Sequence, residues 1–488
     1  MQEDGNRDRR LPTRRRLLHA AGATLASSLL PAGRSVAAND LTGRLAAYMV
    51  ASRERALPDN VLADAKHRIL DTVAAMVSGS ALTPGVMATR FIRSQGGVAE
   101  ASILASNIRT SANNAALING MLAHSDESDD FEPITKAHPG SATVPAALAM
   151  AEKEHRGGAE LIRAVALGYD VGCRFLMAVG PDHVRGTHRG AEAYFATLGA
   201  MASAASLARF DETGMRYAIS YAAQQTSGLW SWVDDHDHIE KSFDFSGMGA
   251  RNGVTAAVMV QAGFTGVRDV LDGTHNLLRA LSNEPKPEAM VAELGSRYFI
   301  TESGIKTFTV GYPNQSPLDA LLKLRREHNL SPANVDGITV RLPEDAVRIV
   351  SGSPMPDVNC QYLMATALVD GGVSFAHAHS REHMAEAQIR ALMERVKVIG
   401  DARLNDPAAP RGGIVEVTLK DGRTISKHTR FPPGTKENPL DTEAVNAKAR
   451  DLMGPVLGVE RSEAAIRQFN ALERVDDVAL LVRSYLTV

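Results

Sequence analysis

The feature that most constrains the fold is a series of Ala- and Gly-rich segments with helical spacing in the first 280 residues. In segment 57–79, LPDNVLADAKHRILDTVAAMVSG, apolar residues recur every four positions from Val61 to Val73, which is the spacing of one helix face. Segments 142–151 and 197–208 carry mostly small side chains, and such side chains let helices approach closely. The sequence therefore predicts a domain of closely packed helices.

The character of the chain changes near residue 281, where LSNEPKPEA forms a Pro-containing linker. The alternating segments VDGITVRLP and IVEVTLKDGRTI are typical of strands, and helical segments such as SREHMAEAQIRALMERV lie between them. We therefore predict a helical domain over 39–280, an α+β lid domain over 281–432 and helices again over 433–488. This fold class is mostly α with an α+β second domain, and a cleft between the domains is the expected place for a substrate.

The first residues have the pattern of an export signal. Arg14 and Arg15 precede an apolar run over 17–30, and small residues lead up to Ala38, an order typical of twin-arginine signal peptides. We expect residues 1–38 to be a signal peptide, recognised by the twin-arginine export machinery and cleaved after Ala38. The mature protein is then expected in the periplasm, whereas a basic tail without a role in export is the alternative interpretation.

Composition excludes several other classes of protein. The 488 residues carry a net charge of −3, and no basic patch or zinc-type spacing follows residue 38, so nucleic acid is not an expected partner. No later apolar run is long enough to cross a membrane. The two cysteines, Cys173 and Cys360, are too few for an aconitase-type iron–sulfur cluster, which needs about three thiolates. Each is expected to be a buried core residue.

Segment 124–140, HSDESDDFEPITKAHPG, places five carboxylates and two histidines between two Ala-rich helical segments. A solvated acidic loop is one interpretation of this segment, and a site held by rigid elements is the other. The segment resembles the signature of the MmgE/PrpD family, which contains 2-methylcitrate dehydratase, cis-aconitate decarboxylase and an iminodisuccinate epimerase. GYDVGCRF, GARNGVTAAVMVQAGFTGV and DALLKLRREHNLSPANVDGITVRL follow in family order, so the resemblance covers roughly residues 41–450.

The resemblance implies a lyase that acts on a small (poly)carboxylic acid by general acid/base catalysis, without a metal or any other cofactor. It also implies that residues 433–488 return to the helical domain, and we expect a homodimer. Dehydration, as in 2-methylcitrate dehydratase, is the first expectation for the reaction. Decarboxylation and epimerisation within the same family remain open, as does an exported organic-acid-binding protein without turnover.

Four residues are expected to carry proton transfer, for which His and carboxylate side chains are suited. His138 matches the family's active-site histidine, and Asp130 aligns with the second residue of its Asp-Asp pair. Glu127 keeps a carboxylate where the family has Asp, and neighbouring Asp126 is a competing candidate for the same role. His188 is the histidine nearest to the position of the family's second one. The structural alternatives are loop histidines for His138 and His188, and helix capping for Asp130.

Four further residues are expected to hold the substrate. Lys241 and Lys306 match family lysines, and an ammonium group pairs well with a substrate carboxylate. Tyr362 stands before an Ala-rich helix, as a family tyrosine does, and Asp129 aligns with the first residue of the Asp-Asp pair. A surface lysine and a tyrosine that anchors its helix are the alternatives for Lys306 and Tyr362.

Three positions depart from the family pattern. Phe131 replaces a Thr, Asp244 replaces a His, and Glu192 lies beside the expected place of the second family histidine. An acidic Asp244 would repel an anion, which indicates a substrate that differs from methylcitrate. The neighbouring patch 235–238, DHDH, has metal-ligand residue types, but adjacent residues in one loop rarely converge on one ion, so a solvated or dimer-facing loop is predicted there.

Overall fold

The computed structural model describes residues 40–488, and the signal peptide predicted for residues 1–38 lies outside the described residues. The helices of the described region are α1 (Leu41–Ser52), α2 (Asp59–Gly79), α3 (Thr83–Arg93), α4 (Ala112–Ala123), α5 (Pro139–Lys153), α6 (Gly158–Val179), α7 (Pro181–Gly186), α8 (Ala191–Leu207), α9 (Glu212–Gln224), α10 (Ile239–Ser242), α11 (Met248–Gln261), α12 (Leu277–Leu281), α13 (Gln315–His328), α14 (Glu344–Val350), α15 (Cys360–Asp370), α16 (Phe375–Ala378), α17 (Arg381–Ala385), α18 (Ala387–Met393), α19 (Thr442–Leu457), α20 (Val459–Asn470) and α21 (Val478–Tyr485). The strands are β1 (Ala101–Ser102), β2 (Arg109–Thr110), β3 (Val335–Leu342), β4 (Val396–Gly400), β5 (Gly413–Leu419) and β6 (Thr424–Thr429).

Helix α8 is buried along its whole length and forms the centre of the helical domain. Helices α5, α6 and α11 pack around it. The approach of α11 is close enough that a Cβ atom at Gly253 would lie 2.4 Å from the backbone nitrogen of Met201 on α8. Small residues thus set the interhelical distances, and the predicted fold class of closely packed helices with an α+β second domain is confirmed.

The lid contains a four-stranded mixed sheet in the order β4-β3-β5-β6. Strand β3 runs parallel to β4 and antiparallel to β5, and β5 and β6 form a hairpin. Along β5 buried residues alternate with half-buried ones, so one face of this strand packs inward. Helix α13 packs on β5 and β6, and Val415 and Val417 lie in the second core.

The protein has two apolar cores, and the C-terminal helices belong to the first. Val445, on α19, and Leu481, on α21, pack into the core of the helical domain. The first core also contains Met290 and Ile305, from the segment assigned above to the lid, whereas the second core begins at Val310. The prolines near residue 285 resemble a domain linker, but the turns that follow them pack against α6. The boundary between the two cores therefore lies further along the chain than the sequence pattern indicates.

The two cysteines are free and buried, Cys173 in the first core and Cys360 in the second. Within residues 40–488 no single helix is long and apolar enough to span a membrane. Helices α2 and α3 reach that composition only as a pair bent by 79°, and most of the residues of α2 are buried.

Candidate active site

A cavity of about 470 Å³ lies between the helical domain and the lid. The acidic segment 124–140, the loop around the two tryptophans and the lid all contribute to its wall. Five aromatic side chains line it, namely Phe131, Trp230, Trp232, Phe245 and Tyr312. Five basic side chains line it as well, namely Lys136, Arg185, Lys241, Arg348 and Arg411. A cavity with apolar walls and a few charged groups is typical of a small-molecule site.

The acidic segment is a buried connection between α4 and α5, not a solvated loop. Every side chain from His124 to Glu132 is buried. Pro139 is the first residue of α5, so His138 immediately precedes the helix. Carboxylates at this depth need partners, since an isolated buried charge is strongly unfavourable. The partners found for each carboxylate therefore show what it can do.

Asp129 orients two histidines. Its carboxylate accepts hydrogen bonds from His138 Nδ1, 3.1 Å away, and from His124 Nδ1, 2.9 Å away. Burial alone would raise the pKa of Asp129, but these two imidazoles and Lys306 hold it well below its usual range. Burial lowers the pKa of His124, so this ring is neutral. His138 lines the cavity, and with Nδ1 on Asp129 its Nε2 is the nitrogen left for a substrate.

Glu127 lines the cavity but is held by three cationic or donor groups. It forms a close ion pair with Lys241, and Lys306 Nζ and His238 Nε2 each lie 3.2 Å away. Burial opposes ionisation, but the two lysines keep the pKa of Glu127 well below its usual range. A carboxylate that stays ionised cannot act as a general acid, and one whose pKa is held this low is a weak general base. The predicted catalytic role of Glu127 is therefore not supported by its surroundings.

Two groups of side chains near His124 have the spacing of metal ligands. The donor atoms of His124, Glu127 and His238 lie within 4.8 Å of one another, and so do those of His124, Asp129 and His138. Lys306 contacts both carboxylates, at 3.2 and 3.4 Å. Because protein ammonium groups already neutralise these sets, a dication would be repelled from them.

Asp130 does not line the cavity and supports the fold instead. It accepts hydrogen bonds from Gly140 N at 2.8 Å and from Tyr169 Oη at 2.7 Å. Burial raises the pKa of Asp130 to about 7. These contacts are those of a cap for α5, the helix that His138 precedes, and they give no support to the predicted catalytic role of Asp130.

His188 and Tyr362 also lie away from the cavity wall. His188 is exposed in a turn, where it adopts a φ of 61°. Tyr362 is buried in the second core, and its hydroxyl donates to the carbonyl of His377 at 2.5 Å. Neither residue lines the cavity, so these positions give no support to direct catalysis by His188 or substrate contact by Tyr362. Local sequence resemblance cannot distinguish a turn histidine or a helix-anchoring tyrosine from a residue of the site.

The two lysines occupy different layers of the site. Lys241 lines the cavity, with Nζ 5.4 Å from the ring centre of Trp232 and 5.0 Å from that of Phe245. Lys306 has no exposed surface and lies behind Glu127 and Asp129. Only Lys241 is placed to contact a substrate directly. Lys306 holds the carboxylates in their ionised form.

Several basic residues of the cavity were not predicted from the sequence. Arg185 forms an ion pair with Glu192 at 2.5 Å, and Arg411 forms one with Asp345 at 2.9 Å. Arg348 is exposed and has no carboxylate partner in the described part of the chain. No motif in the sequence around these residues marks them as site residues. Only the contact between α14, the lid loops and the helical domain brings them together.

Asp244 lies on a short π-helix over Phe243–Gly247, directly after α10. Burial, with the charge of Glu192 as the next cause, raises the pKa of Asp244 to about 8. The carboxyl is therefore mostly protonated at neutral pH. The repulsion of anions expected from an acidic residue at this position is weak in that form.

The departure at Phe131 replaces a polar contact with an aromatic wall. The Phe131 ring stacks on Tyr312, with centroids 4.1 Å apart, and its edge meets His138 at 5.4 Å. Phe245 also meets the His138 ring edge-on, at 5.3 Å. The imidazole thus contacts two phenyl rings. Of the patch 235–238, only His238 is buried beside Glu127, so these four residues do not converge on one ion.

Comparisons with known proteins agree with this architecture. The chain matches the MmgE/PrpD N-terminal domain over residues 43–290 and the MmgE/PrpD C-terminal domain over residues 308–474. It is 24% identical over 475 residues to a cis-aconitate decarboxylase-like protein, oryM, of Aspergillus oryzae, covering 91% of this chain and 96% of the relative. It is 25% identical over 450 residues to the cis-aconitate decarboxylase of Homo sapiens, covering 87% of this chain and 90% of that relative.

Proposed function

The chain belongs to the MmgE/PrpD family, and on that premise we propose that it is a lyase that removes a carboxylate from a small unsaturated organic acid. The observation that carries the proposal is the pairing of His138 with Asp129 at the cavity wall. Both relatives described above are named for decarboxylation of cis-aconitate. Dehydration, the first expectation from the sequence, is the alternative reaction, and the experiment must distinguish it from decarboxylation.

Decarboxylation needs one proton donor, whereas dehydration needs both a base and an acid. Among the described residues that line the cavity, the carboxylates Glu127, Glu192 and Asp345 all form ion pairs with lysine or arginine. His138 is the lining imidazole. One imidazole oriented by Asp129, beside carboxylates that are all ion-paired, supports the reaction that uses one proton transfer.

The proposed reaction proceeds as an allylic shift. The C–C bond to the departing carboxylate breaks, and its electron pair forms a new double bond while carbon dioxide leaves. The far carbon of the former double bond takes the proton from Nε2 of a protonated His138. Asp129 stabilises the imidazolium that precedes this step and fixes the ring orientation. Water then returns a proton to Nε2, and the hydroxide that remains combines with the released carbon dioxide as bicarbonate.

The remaining charges of the cavity orient the substrate. Lys241, Arg348 and Arg411 are on the wall, where they can hold the carboxylates that stay on the substrate. The departing carboxylate is better placed against Phe131 and Phe245, because an apolar surface favours neutral carbon dioxide over the carboxylate anion.

The test uses purified protein and a panel of ¹³C-carboxyl-labelled unsaturated and hydroxylated di- and tricarboxylic acids, with cis-aconitate among them. In D₂O the proposal expects labelled carbon dioxide together with one deuteron on the product carbon. Loss of water without carbon dioxide would favour a dehydratase. Binding to several acids with no turnover would favour an organic-acid-binding protein and overturn the proposal.

We propose further that the mature protein is a homodimer. Leu229 and Val233, which flank the tryptophan loop, are exposed by 63% and 52%, and exposed apolar residues this close together are typical of an interface. Light scattering on the purified protein should give twice the chain mass. Leu229→Asp together with Val233→Asp should give the monomer mass, and a wild-type monomer at micromolar concentration would refute the proposal.

We also propose that the protein is exported to the periplasm by the twin-arginine route. The support is the order of paired arginines, apolar run and small residues over 1–38. Export through this route carries proteins that have already folded, which suits a chain with a large buried core.

A further inference from the structure

We propose that the lid carries a binding site for a divalent transition metal, formed by Asp370, His377 and His383. The site lies apart from the cavity, at the end of α15 and on the short helices α16 and α17. None of these three residues lines the cavity that contains His138. The proposal does not depend on the reaction proposed above.

The three donor atoms converge. His377 Nδ1 lies 2.9 Å and His383 Nε2 lies 3.2 Å from the same atom, Asp370 Oδ2. Two ligand atoms bound tetrahedrally to zinc at about 2.0–2.1 Å lie about 3.3 Å apart. The observed separations are close to that value. The two imidazoles stack with centroids 4.3 Å apart, so both rings present a nitrogen to the same point.

The hydrogen bonds of His383 leave a lone pair directed at this point. Its Nδ1 is 3.0 Å from Glu386 Oε1, and because a carboxylate only accepts, Nδ1 carries the hydrogen. Nε2 of the neutral ring is then an acceptor that faces another acceptor, Asp370. His383 Nε2 is buried and has no aligned hydrogen-bond partner within the described residues. A bound cation satisfies both groups.

Glu386 completes an arrangement that is common at metal sites. A histidine ligand usually donates its second ring hydrogen to a carboxylate, which fixes the tautomer and strengthens the metal bond. The Glu386–His383 contact has this form. Two nitrogens and one oxygen suit Zn²⁺, Co²⁺ or Ni²⁺ better than Mg²⁺, which prefers oxygen ligands.

The ligands are accessible. The side chains of Asp370 and His377 are exposed by 27% and 41%, and that of His383 by 11%. A metal ion can therefore enter from solvent, and water can complete its coordination.

Metal binding would connect the lid to the acidic segment. His379 lies between the two histidine ligands in sequence, and its Nε2 is 3.0 Å from Asp126 Oδ2. A metal that holds α16 and α17 to the end of α15 would also fix His379 against Asp126. We therefore expect metal occupancy to raise the melting temperature of the protein.

The test is calorimetric titration of the metal-free full chain with ZnCl₂, and with MgCl₂ for comparison. We expect one equivalent of Zn²⁺ to bind and Mg²⁺ to bind far more weakly. His377→Ala and Asp370→Asn should each abolish the tight site, and Glu386→Gln should weaken it about 10–100-fold. His428→Ala, an exposed histidine on β6 of the same lid, is the matched control and should bind Zn²⁺ as the wild type does.

Substitution with Co²⁺ gives an independent readout. Co²⁺ in a tetrahedral site absorbs visible light more strongly than the hydrated ion, and this absorption should be absent in His377→Ala. Because His377 is partly exposed, its replacement should leave the metal-free melting temperature unchanged, which separates loss of ligand from misfolding. Unchanged Zn²⁺ affinity in His377→Ala and Asp370→Asn, or no Zn²⁺ binding by the wild type, would overturn the proposal.

Discussion

His138 owes its orientation to contacts on three sides. Asp129 accepts from Nδ1, and Phe131 and Phe245 meet the ring edge-on at 5.4 and 5.3 Å. Its backbone leads directly into α5 through Pro139. The ring is therefore fixed before a substrate arrives, and preorganisation of this kind is a large part of what an active site contributes.

Removal of this imidazole gives a direct test of proton transfer. We expect His138→Gln to keep the fold but to lower kcat by ~10²-fold or more, the usual contribution of a positioned acid or base. His188→Gln is the matched control, because His188 is exposed outside the cavity, and its kcat should equal that of the wild type. Steady-state kinetics and a melting curve on both variants decide the question. Normal turnover by His138→Gln would remove this residue from the mechanism.

Lys241 is expected to act on substrate binding more than on the chemical step. If its ammonium pairs with a carboxylate equally in the ground and transition states, Lys241→Ala should raise KM with little change in kcat. The loss corresponds to roughly 1.5–3 kcal/mol for a charge-assisted bond. A fall in kcat alone, with KM unchanged, would contradict this role. The readout is a full saturation curve for each variant.

Asp244 should make stability depend on pH. The unfolded chain ionises this carboxyl at its ordinary value of 3.8, whereas burial keeps it protonated in the folded chain up to about pH 8. Between these values the folded state binds more protons, so the free energy of unfolding falls as pH rises, by up to about 1.4 kcal/mol per pH unit. Asp244→Asn should lose this component of the slope.

Urea denaturation of the wild type and Asp244→Asn at several pH values between 5 and 8 measures the difference. Asp336→Asn, an exposed acidic position on β3, should keep the wild-type slope, because its charge is not among those that act on Asp244. If the free energy of unfolding changes with pH equally in the wild type and in Asp244→Asn, the carboxyl is ionised in the folded protein throughout this range.

At the scale of elements, α19 supports the acidic segment from behind. Lys448, on α19, forms an ion pair with Asp71 of α2 at 2.7 Å and donates to the carbonyl of Ser128 at 2.7 Å. Lys448 and Asp71 are both buried. A C-terminal helix thus holds the segment that carries Asp129, although the two are separated by about 320 residues in sequence.

We expect Lys448→Met to lower the free energy of unfolding by roughly 3–5 kcal/mol, because it leaves Asp71 buried without its partner. The double variant Asp71→Asn, Lys448→Met should recover part of that loss. Lys427→Met, which removes a surface ion pair with Glu327, is the control and should barely change the melting temperature. Equal losses of stability in Lys448→Met and Lys427→Met would show that the buried ion pair stabilises the fold no more than the surface pair does.

At the scale of the whole molecule, the two domains enclose a site that neither forms alone. The helical domain supplies Glu127 and His138, and the lid supplies Tyr312 and Arg411. The two family models end and begin at residues 290 and 308, close to where the first core gives way to the second.

Export also concerns the whole molecule. Replacing Arg14 and Arg15 with Lys should leave the full-length precursor in the cytoplasm, whereas the wild-type mature protein should begin near Asn39. The control replaces Arg9 and Arg10, which lie upstream of the paired arginines, and should be exported normally. Cell fractionation with N-terminal sequencing gives the answer, and periplasmic protein from the Arg14 and Arg15 variant would exclude the twin-arginine route.

The sequence by itself determined the fold class, the family and the position of His138. Helical spacing and strand alternation are local patterns, and the order of several motifs is read along the chain, so neither requires knowledge of distant contacts. Lys241, which the resemblance predicts to contact the substrate, lines the cavity. The sequence also predicted that Cys173 and Cys360 are core residues.

Only the tertiary structure decided which candidates share the site. Lys306 lies 179 residues from Glu127 in sequence, and their contact is what keeps that carboxylate ionised and unfit as an acid. Asp130 accepts a hydrogen bond from the first turn of α5, and Tyr362 donates one within the lid, so both side chains have structural contacts away from the cavity. A side chain's role depends on its partners and on its burial, because these set its charge, and partners and burial are fixed only when distant segments pack together.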